Sequence, residues 1–441
     1  MENVKIGFIC VGLEGERNDI AEENWKKAGA KLRQAGLNVI DLHNGVTRTR
    51  EEVCAGVQQC ADADAVVFLI GTWILASHIV DAVADLKVPF VIWGIPEPVS
   101  FSSVGANVIH GALDEMSIPH KLIYGMSEDA GTIGEVVSFA QAAHARKKLK
   151  SARLGLIGGR AISAYPTAAD PNQIKALFGT EVEHIDQLVL LEKARAVPEE
   201  VCRKKAEELA RRFHVTEDLY QALEKQMRIY FALKEMIREY DLNMLSVKCI
   251  GEFMDTYASC CVALSLLNDE GFVAGCQCNI NAMISSYILH SFTGEPCFFG
   301  DVGAVDIDQG VARVINCGSI PTRLAGGDEK VEIVEQYEYM GTGRGACTLF
   351  CMKPGIVTFG TLGRRSGGEY VINIARGEAF SQPLDTLRQV RSWGQGFVRL
   401  EGDAKTFWNN LRSNHSVLCY GDVVDALMDF SQLCGITVET C

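Results

Sequence analysis

The sequence predicts an α/β protein, with two Rossmann-like or flavodoxin-like parallel-sheet domains followed by a C-terminal antiparallel, β-rich, barrel-like domain. Three observations carry this. Near-continuous apolar runs alternate with helical periodicities through the first half of the chain, the pattern of strands covered on both faces of a parallel sheet. A second alternating unit opens with ARLGLIGG at 152–159, directly after the basic helix end ARKKLK at 145–150. From about Pro296 the texture changes to short β-rich runs between glycine-rich turns, as in an antiparallel sheet or barrel. The domains are therefore expected at 1–150, 151–293 and 294–441.

In the first domain KIGFICVG (5–12) is a buried strand. Residues 19–34 have helical spacing, with Ala21, Trp25, Ala28 and Leu32 on one side. LNVIDL (37–42) is a strand and 50–60 a helix. AVVFLIG, PFVIWGI and HKLIYGM are further strands. No GxGxxG follows the first strand, since VGLEGER lacks that spacing, which argues against a dinucleotide site. In the second domain 182–185 is a short strand, 197–240 holds long charged helices, and LNMLSVKCI (242–250) is a strand. Residues 253–267 and 281–292 read as buried helices. The third domain contains VARVINC, KVEIVEQYEY, ACTLFCM, GIVTFGTL, EYVINIA and GFVRLE as strands, then a helix at 423–433 and a short closing strand.

The 441 residues exceed one ordinary core. Apolar residues make up 48% and charged residues 22%, a globular profile. The net charge of -14 argues against nucleic acid, whose phosphates need a basic surface. No apolar stretch approaches the roughly 20 residues of a membrane span, and the N-terminus lacks a signal-peptide pattern. The sixteen cysteines are scattered, mostly within apolar runs, with no CxxC pair. They read as reduced structural thiols in a cytoplasmic protein.

The chemistry gathers in a few stretches: KCIGEF at 248–253, CQCNIN at 276–281, FFGD at 298–301, NCG at 316–318 and NHSVLCYGD at 414–422. Each places polar residues where an apolar strand begins or ends, the place α/β proteins build sites. Asp301 can ligate a hard cation, act as a base, or cap a turn. His415 can ligate Mn²⁺ or Zn²⁺ or shuttle protons, and also suits a hydrogen-bonded core. Gln277 and Asn279 can donate to a substrate oxygen, and Asn279 is well placed to cap the helix that follows. Lys248 and Glu252 can pair with each other. Asn316 and Asn414 complete the polar set.

In order and spacing these stretches resemble the L-fucose/L-arabinose isomerase family. The resemblance covers most of the chain and is clearest in CQCNINAM (276–283), TGEPCFFGD (293–301), NCGSIP (316–321), MGTGRG (340–345) and NHSVLCYGD (414–422), with ARLGLIGGR (152–160) opening the second domain. It implies a three-domain homo-oligomer, a trimer or hexamer, that interconverts aldoses and ketoses through an ene-diol using Mn²⁺. The first metal carboxylate falls on Gln277, the second on Asp301 and the ligand histidine on His415. Asn279 and Asn316 stand where the pattern has aspartate and histidine. Asp301 and Gln277 are thus the expected catalytic residues, with Asp301, His415 and Gln277 around the metal. Asn279, Asn316, Lys248, Glu252 and Asn414 are expected on the substrate.

An amide in place of a carboxylate cannot accept a proton, and it removes a full charge from beside a dication. Two further outcomes are open. One is a diverged enzyme acting on an anionic or modified sugar by enolisation or carbon–carbon cleavage, with Arg160, Arg344, Arg364 and Arg365 available to grip the anion. The other is a non-catalytic sugar-binding paralogue.

Overall fold

The computed structural model describes residues 4–41, 45–336 and 345–441. Arg344 and most of the MGTGRG stretch lie outside them, as does the end of the KVEIVEQYEY run. The chain divides into two compact units, residues 1–147 with 428–433, and residues 148–427 with 434–441.

The first unit carries one parallel sheet of β1 (Lys5–Val11), β2 (Asn38–Asp41), β3 (Ala65–Ile70), β4 (Phe90–Gly94) and β5 (Lys121–Tyr124). Its order, β2-β1-β3-β4-β5, is the flavodoxin-like one. The run AVVFLI is buried at every position, as a strand covered on both faces must be. Trp93 is fully buried, and its indole N–H donates to the Gly125 carbonyl at 2.9 Å, so its polar atom is not stranded.

The second unit contains β6 (Arg153–Ile157), β7 (Glu181–Ile185), β8 (His214–Val215), β9 (Met244–Val247) and β10 (Val273–Cys276). Four of these form a parallel sheet in the order β10-β9-β6-β7. The remaining strands are β11 (Phe298–Asp306), β12 (Val311–Asn316), β13 (Glu332–Gln336), β14 (Gly345–Leu349), β15 (Gly355–Arg364), β16 (Tyr370–Phe380), β17 (Gly394–Leu400), β18 (His415–Tyr420) and β19 (Thr437–Thr440). The order β15-β18-β11-β12-β17-β16, together with a ten-pair β15–β16 ladder, closes six antiparallel strands on themselves. The expected barrel is present, and β19 adds to it in parallel beside β16. Closure leaves no free edges among these six strands.

Three expectations need correction. The stretch 253–267 is two helices, Glu252–Thr256 and Cys261–Asp269. The buried Gln226 side chain accepts from the Val262 N–H at 2.6 Å and so starts the second helix, a partner that local periodicity does not report. The charged helices of 197–240 are interrupted by β8, which pairs with β13. β13 and β14 join β8 in a separate three-stranded sheet instead of entering the barrel.

Candidate active site

Asp301 lies in β11 at the point where three strands align. It is directly opposite His415 of β18 on one side and Ile315 of β12 on the other. Opposed residues in neighbouring strands share a face, so the acid and the imidazole project together. Asp301 Oδ1 and His415 Nε2 are 3.9 Å apart, too far for a direct hydrogen bond. Gly300 makes this register possible. A Cβ there would lie 2.4 Å from the Ile315 carbonyl oxygen.

Gln277 arrives from the end of β10. Gln277 and Cys278 both have left-handed backbones, with φ of 64° and 50°. Non-glycine residues held there cost of order 1 kcal/mol or more each, and such strain concentrates at functional sites. The pair turns the chain sharply from β10 into the helix Ile280–Thr293, and the Gln277 N–H is fixed by the Val247 carbonyl at 2.9 Å. The Asn414 side-chain nitrogen then joins the two elements. It lies 3.1 Å from Asp301 Oδ1 and 3.4 Å from Gln277 Oε1.

Asn279 caps the helix, its Oδ1 accepting from the Ala282 N–H at 3.1 Å. That bond fixes the direction of the amide, leaving Nδ2 3.0 Å from His415 Nδ1. An amide nitrogen donates, so Nδ1 accepts, and the single proton of a neutral imidazole must sit on Nε2. His415 is 1% exposed, and burial lowers its pKa to about 3, so the ring is neutral near pH 7. The Phe299 ring packs against it at 4.3 Å. The sequence reading missed Phe299, although period-two alternation puts it on the same face as Asp301.

The other expected residues fall into two groups. Lys248, at the end of β9, pairs with Glu252 at 2.8 Å, and its carbonyl accepts from the Gln187 side chain. Asn316 is 2% exposed. Its Nδ2 donates to the Phe299 carbonyl at 2.7 Å, and its Oδ1 accepts from the N–H groups of Gly318 and Ser319 and from the Ser319 hydroxyl. Alternation puts it on the barrel face opposite Asp301, so it is not brought to the acid–imidazole pair. Among the arginines, Arg364 donates to the Ala168 carbonyl and Arg365 to Glu439. Arg160 lies in the loop after β6, over the Tyr165 ring at 4.3 Å.

Mn²⁺ prefers several hard oxygen donors. Gathered here are one carboxylate, Asp301, and amides whose donor nitrogen on Asn414 points at the two oxygens a cation would need. The imidazole nitrogen facing Asp301 carries a proton instead of a lone pair. Cys278 supplies no thiolate, because burial pushes its thiol up to about 12, and its Sγ lies 3.3 Å from the Ile157 carbonyl. As arranged, this donor set does not fit a divalent cation.

Fold and site together define an α/β protein with two parallel sheets and a closed barrel, bearing a neutral imidazole, one acid and a row of amides suited to polar, oxygen-rich molecules. Residues 314–441 match the L-fucose isomerase C-terminal domain. A sulfoquinovose isomerase of Clostridium sp. (strain MSTE9) is 24% identical over 80% of this chain and 80% of its own length. One of Alkalicoccus urumqiensis is 24% identical over 73% of each. One of Priestia aryabhattai is 20% identical over 100% of this chain and 99% of its own length. The chain is thus similar to sulfoquinovose isomerases over most of its length and to L-fucose isomerase in its C-terminal part.

Proposed function

We propose that the protein is a carbohydrate isomerase that interconverts the aldose and ketose forms of an anionic, modified sugar through an ene-diol. The observation that carries this reading is the hydrogen-bonded row Gln277–Asn414–Asp301 beside a neutral His415 that presents an N–H. Asp301, half-buried at the barrel rim, takes the proton from C2 and returns it to C1. The Nε2–H of His415 and the amide of Asn414 hydrogen-bond the oxygens on which charge develops, and one proton passes between O1 and O2. A fixed, uncharged donor in a dry setting stabilises developing negative charge without reorganising. General-base catalysis of this kind contributes roughly 10²- to 10⁴-fold.

The relatives' name, sulfoquinovose isomerase, favours an anionic substrate. At the C-terminal edge of the second sheet, Lys248 and Arg160 supply the positive charge for it, Lys248 by exchanging its Glu252 partner. Among the described residues the cysteines form no disulfide, which favours a reducing compartment such as the cytoplasm. Homo-oligomerisation belongs to the same reading.

The test is proton exchange in D₂O with purified protein and a panel of anionic and neutral aldoses and ketoses. Solvent deuterium should enter C2 of an anionic sugar, and much less or none should enter its neutral counterpart. Absence of exchange on every sugar overturns the proposal.

A further inference from the structure

Among the described residues, one group of three His, Cys, Asp or Glu side chains has its donor atoms within 4.8 Å of one another: His110, Asp114 and His120. All three lie in the first unit, and none belongs to the site above. His110 and Asp114 are four residues apart in the last turns of the helix Ser102–Glu115, and so share a face. The chain then reverses through Ser117, which has a left-handed φ of 56°, and brings His120 back just before β5.

Hydrogen bonding settles which nitrogens are available. His120 Nδ1 lies 2.9 Å from the Ile118 carbonyl. A carbonyl only accepts, so Nδ1 carries the proton and Nε2 the lone pair. That Nε2 lies 2.8 Å from His110 Nδ1, and the bond between the rings uses a proton on His110. On the far edge of the His110 ring, Nε2 lies 3.4 Å from Asp114 Oδ2. Each imidazole therefore aims one nitrogen at the other ring and backs its second nitrogen with an acceptor, a carbonyl in one case and a carboxylate in the other. Metal-binding histidines are characteristically oriented in this way, the outer acceptor fixing the tautomer and raising ligand basicity. The His120 ring is also held by stacking on Phe90 at 6.1 Å.

We propose that His110 and His120 form a site for a borderline-soft divalent ion such as Zn²⁺, with Asp114 as the acceptor behind His110. The ion takes the place of the one proton between the rings, and that proton moves to His110 Nε2, switching the His110 tautomer. His110 Nδ1 and His120 Nε2 become the ligands, the His110 Nε2–H donates to Asp114, and water completes the shell. Zn–N bonds of about 2.0–2.1 Å on a tetrahedral ion put the two nitrogens roughly 3.4 Å apart. The rings must open by about half an ångström, and the His110 side chain, 37% exposed, has room to move. Imidazole nitrogen favours Zn²⁺, Ni²⁺ or Cu²⁺ over Mn²⁺ or Mg²⁺. Bound there, the ion staples the end of the helix to the start of β5 and stabilises the unit by mass action.

The experiment is calorimetric titration of the tag-free, full-length chain with Zn²⁺, repeated with His110→Ala, His120→Gln, Asp114→Asn and Asp301→Asn, each checked for fold by circular dichroism. One equivalent should bind and raise the thermal midpoint. The histidine variants should abolish binding, Asp114→Asn should weaken it about 10- to 100-fold, and Asp301→Asn should leave it unchanged. His110→Ala alters a half-exposed helix position, so the test does not depend on replacing the packed His120. Co²⁺ substitution should give a spectrum without thiolate charge transfer. Failure of the wild-type chain to bind, binding that survives His110→Ala, or a thiolate band would each overturn the proposal.

Discussion

At the barrel rim, an imidazole and a carboxylate come within 3.9 Å, and the imidazole presents a proton. In the first unit, two imidazoles come within 2.8 Å, and one presents a lone pair. The difference lies in what stands behind each ring. Asn279 donates to His415 Nδ1 and drives the remaining proton to Nε2, while the Ile118 carbonyl accepts from His120 Nδ1 and leaves Nε2 bare. The same side chain thus becomes a hydrogen-bond donor in one place and a metal ligand in the other. The neighbour one bond further out decides which, more than the residue type does.

This contrast can be broken most severely at Asp301. Asp301→Asn should reduce C2-proton exchange by roughly 10²- to 10⁴-fold, with little change in thermal midpoint because the side chain is 42% exposed. Retained activity would move the base elsewhere.

A sharper test converts one region into the other. Asp at position 279 still caps the helix, but it accepts from His415 Nδ1 and frees Nε2. Gln277→Glu combined with Asn279→Asp should create Mn²⁺ binding, read by electron paramagnetic resonance. The Asn279 change should contribute about 10- to 100-fold beyond Gln277→Glu alone. In the unaltered protein, ¹⁵N NMR of His415 should report the Nε2–H tautomer, and the opposite tautomer would remove the electrostatic account of the site.

A pH effect follows from burial of the same ring. His415 is neutral in the folded protein, its pKa lowered from 6.5 to about 3 by desolvation. The unfolded chain takes up a proton below about pH 6.5, so the folded state binds fewer protons in that range. Stability is full above pH 6.5 and falls as the pH drops toward 3. The expected loss from this group is about 2 kcal/mol between pH 6.5 and 5. Urea unfolding at the two values measures it, and His415→Gln should flatten the slope.

The smallest expected effect is at Arg160, which is solvent-exposed. Arg160→Gln should raise KM for an anionic sugar by at most roughly fivefold, the range of an exposed ionic contact of 0.2–1 kcal/mol, with kcat unchanged. A fall in kcat would place the residue at the reacting carbons.

What the sequence by itself determined is local or periodic. Continuous apolar runs such as AVVFLI identified the parallel sheets, since burial on both faces leaves no polar positions. The shift to short β runs near Pro296 marked the barrel, and Asn279 ahead of a helix marked a cap. Asp301 and His415 stood out because each adjoins an apolar strand. The tertiary structure decided the rest. The β11–β18 register sets Asp301 opposite His415, more than a hundred positions away, and strand alternation turns Asn316 to the other face. Gln226 splits the 253–267 stretch from a distant helix. The turn through Ser117 brings His120 back to His110. Each of these depends on pairing between separated segments, and such pairing selects the tautomer, the free lone pair and the accessible face, none of which a residue's identity carries alone.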